Sequence, residues 1–299
     1  MKHTISVIIS TYKRKPEVIN KAIMSIEQQT YPVSEIIVVD DNSFENNHLS
    51  RLSAQIKASL TNRAVYIKQP LGNAGANAAR NLGIHNAHGE FVAFLDDDDE
   101  WLPEKINKQM QEFDQDKDGK LGLVFCGGIR RELLHKGGYV ECDYYNLKEF
   151  KECPTHEDML KHDYIGSTSH PLIRRSVFDK AGMFDEKMPA RQDYDMWIRI
   201  SKYYELKGIR DKLFIHNLHE GEQISKSRAK AYRAYGMLYE KYKDEYNHNL
   251  EAWLYIQVAI ALNQGGIIGC LRFFAIRAMR KAYYIGKAIV PKNIYKKKE

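Results

Sequence analysis

The stretch that decides the fold is "EFVAFLDDDDEW", residues 90–101. An apolar run from Phe91 to Leu95 passes straight into Asp96, Asp97, Asp98, Asp99 and Glu100. A short continuous apolar run bounded by polar residues reads as a buried strand. Like charges crowded at its end raise the energy of the ionised state, so either protons stay on or a cation sits nearby.

Working outward, "ISVIIS" (5–10), "EIIVVDD" (35–41) and "AVYIKQ" (64–69) read as strands of the same kind. Between the first two, Pro16 to Gln29 carries Val18, Ile19, Ala22, Ile23 and Ile26 at helical spacing. Near-continuous apolar strands joined by helices predict a parallel sheet covered on both faces. Ligands of such sheets bind outside the carboxyl ends of the strands. There the sequence places Ser10-Thr11-Tyr12, Asp40-Asp41 and Asp96 to Asp99, which predicts one crevice served by three strands.

Downstream, a helix is expected from Pro103 to Phe113. "DQDKDGK" (114–120) imitates the start of a calcium loop, but Phe125 stands where the required glutamate would be, so it reads as a solvated turn before the strand "LGLVFCGG". "GGYVECDYY" reads as an edge strand, 155–162 as a short helix, and "HPLIRRSVFDKAGMFDE" as strand, short helix and turn. "RQDYDMWIRISKYY" sets Met196, Trp197, Ile200 and Tyr203 on one helical face, with Asp193 and Asp195 in the favourable first turn. Trp101 and Trp197 read either as core or as a shelf for a ligand.

The 299 residues, 43% apolar and 28% charged, suit a large soluble domain with an appendage. Cys126, Cys142, Cys153 and Cys270 form no CxxC pair, so a reducing cytosol is expected and a structural zinc is not. The apolar part of "MKHTISVIISTYKR" is too short for a signal peptide. The most apolar long segment, 253–276, is broken by Gln257, Asn263, Gln264 and Arg272, so no membrane crossing is expected.

The net charge of +6 is unevenly placed: residues 228–299 carry +9 and the remainder −3, which predicts different partners for the two parts. From 228 the chain reads as helical, with no proline before Pro291. At roughly 100° per residue, Ile267, Ile268, Leu271, Phe274, Ala275, Ala278, Ala282, Ile285 and Ile289 fall within about a third of the circle. Arg272, Arg277, Arg280, Lys281 and Lys287 take the other half. Such a helix either packs on its own domain or a twin subunit, or lies on an anionic membrane surface. Nucleic acid is not expected, because the basic helix lacks a reading module.

"ISVIISTYKRKPEVINKAIMSIEQQTYPVSEIIVVDDNS" followed by "GNAGANAARNLGIHNAHGEFVAFLDDDDEWLPEKI" resembles the family 2 inverting glycosyltransferases with the GT-A fold. The resemblance resumes at "RRSVFDKAGMFDE", "QDYDMWIRI" and "HEGEQIS". It implies an α/β GT-A domain at 1–225, a Rossmann-like, mostly parallel mixed sheet flanked by helices, with a basic helical C-terminal region at 226–299. It also implies a nucleotide-sugar donor, UDP-linked on the family's pattern, a glycan or lipid-linked glycan acceptor, and Mn2+ or Mg2+. By the same resemblance Asp96 faces the donor ribose, Asp98 binds the metal, and Asp97 and Asp99 touch either donor or metal. Ser10, Thr11 and Tyr12 flank the nucleobase, Asp41 accepts a pyrimidine N–H, and Arg80 supports the donor pocket or pairs with an acid. Asp193 is the implied catalytic base, with Asp195 as its rival and Gln192 in place of the commoner glutamate. His219 matches a histidine near the metal or diphosphate, and His216 three residues earlier makes an HxxH pair. The implied setting is surface polysaccharide synthesis, in the cytoplasm or on the inner membrane face. The alternatives are a sugar-phosphate nucleotidyltransferase, which needs a glycine-rich loop where "STYKRKPE" stands, and a non-catalytic nucleotide-sugar-binding scaffold.

Overall fold

The computed structural model describes residues 3–42, 47–61, 63–70, 72–134, 137–144, 150–218 and 227–289. These fall into two compact units. The first comprises Met1–Met159, Asp163–Lys187 and Gln192–Gly221; the second comprises Leu160–His162, Met188–Arg191 and Glu222–Glu299.

The first unit is built on one mixed sheet. Its strands are β1 (Ile5–Thr11), β2 (Glu35–Asp40), β3 (Ala64–Lys68), β4 (Phe91–Phe94), β5 (Glu100–Trp101), β6 (Leu121–Leu133), β7 (Tyr139–Asp143), β8 (Leu172–Arg174) and β9 (Glu205–Leu218). They lie in the order β3-β2-β1-β4-β8-β6-β9-β5, with β7 paired to β6. The pairs β3-β2, β2-β1 and β1-β4 are parallel, as the apolar runs predict. Beyond β4 the sheet changes character: β8 is antiparallel to both β4 and β6, and β9 runs parallel to β6 with breaks in register.

Helices cover both faces. They are α1 (Pro16–Glu27), α2 (Asn47–Ser59), α3 (Ala76–His85), α4 (Lys105–Gln115), α5 (His156–Lys161), α6 (Val177–Ala181) and α7 (Gln192–Ser201). Ile5, Val7 and Ile9 of β1 share a core with Ile19, Ile23 and Ile26 of α1 and Ile106 and Met110 of α4. The alternate residue Ile8 points the other way, onto α3. A Cβ on Gly83 would lie 2.4 Å from Ile8 Cγ2, so glycine there lets α3 press against the strand.

The second unit is helical: α8 (Arg228–Lys241), α9 (Lys243–His248), α10 (Leu250–Gln264) and α11 (Gly266–Ile289). In α10, "LEAWLYIQVAIALNQ", apolar residues occupy every side, the pattern of a helix covered all round. Gly265 and Gly266, with φ of 71° and 63°, reverse the chain into α11. These left-handed values favour glycine. Ile276 of α11, with Phe273 and Tyr283, packs on Leu254, Ala261, Trp253 and Val258 of α10. Among the described residues no helix is long and apolar enough to cross a membrane.

Several expectations need correction. β9, the 14-residue strand "ELKGIRDKLFIHNL", has no counterpart in the sequence reading. Tyr203 is exposed beyond the end of α7 rather than sharing the face of Met196, Trp197 and Ile200. Of the two readings left open for Trp101 and Trp197, core or ligand shelf, both are core, their indole N–H groups donating to the carbonyls of Ser169 and Gly166. Packing of α11 through its apolar arc on its own domain is also overturned, because the stripe seated on α10 lies on the opposite side of the helix.

Candidate active site

The chain leaves β4 after Leu95, whose N–H still bonds Ile8 O at 3.0 Å, and folds at once into a turn closed by Asp99 N–H to Asp96 O at 3.0 Å. The turn sends the four acids to different partners. Asp96 accepts from Arg80 Nη2 at 2.8 Å and from Thr168 Oγ1 at 3.0 Å. Asp97 Oδ1 accepts from Arg14 Nε at 2.8 Å, and the same guanidinium reaches Asp98 Oδ2 through Nη2. Asp99 points inward: its Oδ2 accepts from Ser169 Oγ at 2.7 Å, its Oδ1 from His216 Nδ1 at 3.0 Å and from Asn217 N at 3.3 Å.

Exposure separates the same residues. The side chains of Asp96, Asp97 and Asp98 retain 29%, 10% and 17% of their accessible surface, whereas that of Asp99 retains none. Asp96 to Asp98 thus keep access to the crevice side of the turn, whereas Asp99 is enclosed and braces the turn from beneath.

The electrostatics follow. Burial pushes the Asp97 carboxyl up to about 7, with the Arg14 guanidinium pulling it back and Asp98 pushing it further. Asp99 is likewise raised by burial, with His216 opposing; His216 in turn is held above its usual value by Asp99, against its own burial. Desolvation raises the energy of a carboxylate, and a nearby cation lowers it. Arg14 stands against Asp97 and Asp98, and Arg80 against Asp96.

Strand β2 delivers two acids with different tasks. Asp40 is fully buried and accepts from Asn42 N at 2.9 Å, Tyr66 Oη at 2.7 Å and Lys68 Nζ at 3.2 Å, which secures the turn. Both oxygens of Asp41 accept backbone N–H groups at 2.8 Å, from Ala74 and Gly75, so this carboxylate anchors the segment that opens α3. After β1, Ser10 is half-buried, Thr11 is buried and Tyr12 is exposed, with Lys13 Nζ 4.9 Å from the centre of its ring. Lys13 turns the chain at φ 57°, and its N–H donates to Asn42 Oδ1 at 2.8 Å. Among the described residues, Arg80 Nη1 and Asn42 Nδ2 are buried donors without a hydrogen-bond partner. Such donors are costly to bury unpaired.

At the start of α7 the two rival acids separate. Asp195 is fully buried, and its Oδ2 accepts from Arg199 Nε at 3.0 Å with Nη2 at the same distance from that oxygen, an i,i+4 ion pair that commits it to the helix. Asp193 is half-buried, with Oδ1 accepting Tyr194 N–H at 2.8 Å. Its charge is felt at Tyr144, whose phenol is pushed up first by burial and then by Asp193, Asp99 and Asp163. Tyr144 meets His170 and His216 edge-on, with ring centres 4.6 and 5.5 Å apart. His219 lies outside the described residues.

Sequence reasoning missed Arg14, Tyr144, Ser169 and Asn217, and it missed Lys105 beneath the turn. Lys105 is fully buried, donates to Gln109 Oε1 at 2.8 Å and stands 4.2 Å from the centre of a Trp101 ring. Burial lowers its pKa from 10.5 to about 8. The signals available were Arg14 in the first polar loop and a lysine two residues after Pro103.

The crevice, at the carboxyl ends of three parallel strands and lined by carboxylates and guanidinium groups, is the kind that binds a phosphorylated nucleotide. The sequence profile of glycosyl transferase family 2 matches residues 6–182, more than half of the chain, and the chain belongs to that family. It is a glycosyltransferase. WcaA of Escherichia coli (strain K12), named for colanic acid biosynthesis, is 29% identical over 245 residues, which span 81% of this chain and 82% of that one. The mannosyltransferase PcManGT from Pyrobaculum calidifontis, solved with GDP-Man and Mn2+, has the same fold at a TM-score of 0.61 and 18% identity, covering 99% of this chain and 82% of that one. TarS residues 1–349 from S. aureus, solved with UDP-GlcNAc, gives 0.55 and 15%, covering 95% and 92%. Family membership sets aside the nucleotidyltransferase and the non-catalytic scaffold.

Proposed function

We propose that the protein transfers a sugar from a nucleotide-sugar, most simply a UDP-sugar, to a hydroxyl of a glycan or lipid-linked glycan, with inversion and with a divalent cation, in surface polysaccharide synthesis. The observation that carries this reading is the trio Asp96, Asp97 and Asp98 at the end of β4, facing Arg14 and the unpartnered Nη1 of Arg80. Relatives named for polysaccharide synthesis and neighbours solved with nucleotide-sugars support it.

The residues fit a cation. Asp97 and Asp98 are hard oxygen donors set side by side, and a positive group already spans them. Among the described residues no three His, Cys, Asp or Glu side chains converge on one point. That suits Mg2+ or Mn2+ bound by one or two carboxylates with phosphate oxygens filling the rest of the shell. Asp98 is the main ligand in this reading, with Asp97 beside it and His219 the further ligand that the family resemblance implies. The ion would offset charge gathering on the departing diphosphate.

The chain's own groups do the rest. Tyr12 gives the nucleobase a flat apolar face, Ser10 and Thr11 line its edge, and Asp41 accepts a base N–H with lone pairs left over from Ala74 and Gly75. Asp96 receives the ribose, and Arg80 Nη1 finds its acceptor on the donor. Asp193 takes the proton of the acceptor hydroxyl as that oxygen attacks from the face opposite the leaving group. Asp195, held by Arg199, is excluded from that task.

Incubation with a panel of UDP- and GDP-sugars and either Mn2+ or Mg2+ tests the reading. Slow release of nucleoside diphosphate from one donor, abolished by chelation, is the expected result. Calorimetry that detects neither ion, with or without nucleotide, would overturn it.

A further inference from the structure

The feature the catalytic reading leaves unused is the outer side of α11. We propose that α11 lies flat on an anionic phospholipid surface, its apolar arc among the acyl chains and its cations at the headgroup phosphates. The side facing α10 is accounted for: Ile276 is 6% exposed, and Phe273 and Tyr283 pack beside it. The opposite side is apolar and uncovered. Ile267, Ile268, Leu271 and Phe274 are 79%, 70%, 66% and 64% exposed. Large apolar residues exposed singly are ordinary, but a contiguous row of them marks a contact surface.

Charge selects the occupant. At about 100° per residue, Lys281 and Arg277 border one edge of the arc, while Arg272, at the other edge, donates from Nη2 to Gln257 Oε1 of α10 at 2.7 Å. Long basic side chains at the margins of an apolar stripe can extend to headgroup level while the stripe sinks between lipids. Between Glu251 and Glu299 the sequence contains no acidic residue at all. A second copy of the same face would bring these cations against their own kind, whereas an anionic surface meets them with opposite charge. α11 binds parallel to the surface rather than across it, since among the described residues no helix is suited to spanning.

Vesicle co-sedimentation of the full chain, at low and at physiological salt, decides the matter. Binding is expected to phosphatidylcholine vesicles containing phosphatidylglycerol, weak binding to phosphatidylcholine alone, and a fall as salt rises. Leu271→Glu with Phe274→Glu should cut the partition coefficient by about tenfold or more on both vesicle types, because each removes a large buried apolar group. Arg277→Glu with Lys281→Glu should cut it by roughly tenfold on anionic vesicles only. Circular dichroism and donor hydrolysis in solution should be unchanged in both variants, since the altered side chains are exposed. Equal binding of wild type and both variants, or none by wild type, overturns the proposal. A wild-type dimer in sedimentation velocity that the Leu271→Glu, Phe274→Glu variant converts to monomer overturns it in favour of a second copy.

Discussion

The two units of the molecule handle positive charge in opposite ways. Around the crevice of the first unit, cations are set against acids: Arg14 on Asp97 and Asp98, Arg80 on Asp96, His216 on Asp99, Arg199 on Asp195. In α11 the cations have no acidic residue anywhere near them in sequence. The first arrangement lets carboxylates stand closer together and deeper than water alone would allow, which prepares a site before any ligand arrives. In the second, Arg277 and Lys281 are exposed, while Arg272 donates to Gln257 of α10. A net charge of +6 averages these two into a number that describes neither.

The contrast can be broken most sharply at its acidic end. Asp98→Asn should lower kcat by about a thousandfold, the several kcal/mol that a bound cation contributes, and should remove the response to Mn2+ in a donor-hydrolysis assay. Asp193→Asn should cost roughly 10²- to 10⁴-fold in transfer while leaving donor affinity by calorimetry unchanged. Undiminished turnover would show that another group takes the proton. Arg14→Ala leaves Asp97 and Asp98 without their resident cation, so thermal unfolding should show a loss of about 1–3 kcal/mol without metal, much of it restored by Mn2+.

Lys105 sharpens the comparison most gently, since this cation of the first unit is buried over Trp101 with an amide rather than an acid as its hydrogen-bond partner. Its folded value of about 8 lies below the unfolded 10.5. Below pH 8 both states carry the proton, and the buried ammonium weighs against folding. Between pH 8 and 10.5 the folded protein has released it while the unfolded chain still holds it, so stability gains from this group as pH rises. Relative to Lys105→Met, wild-type stability by urea denaturation should climb across that window with a slope of at most about 1.4 kcal/mol per pH unit. Parallel curves for the two proteins would mean that Lys105 is not titrating there.

The sequence is most readable where strands are buried on both faces. β1, β2 and β4 are almost pure apolar runs, and their ends announced the crevice. β9 was hidden because it is buried only in part: its "IRDKL" section is mostly exposed and interrupts any apolar pattern, and its partner β6 shifts register opposite it. β5 is two residues long, too short for periodicity to register, whereas the three residues of β8 fall within "HPLIRR", which does read as a strand. The four-acid run located the site, but a run cannot say which way each side chain turns. That depended on Ser169 and His216, far away in sequence, which draw Asp99 inward. The amphipathic pattern of α11 was legible, yet the side it packs with was not, because the choice belongs to α10.

One bond pair has a consequence for how specificity could change. Because Asp41 holds the amides of Ala74 and Gly75, and α3 begins at the next residue, the tip of β2 and the guanidinium of Arg80 belong to a single bracket. A substitution at position 41 would therefore disturb the far side of the crevice as well as the near one. Asparagine would keep one acceptor where two amides need seats, and alanine none. If Asp41 contacts the nucleobase as proposed, a change of base specificity has less freedom at this position than at its neighbours.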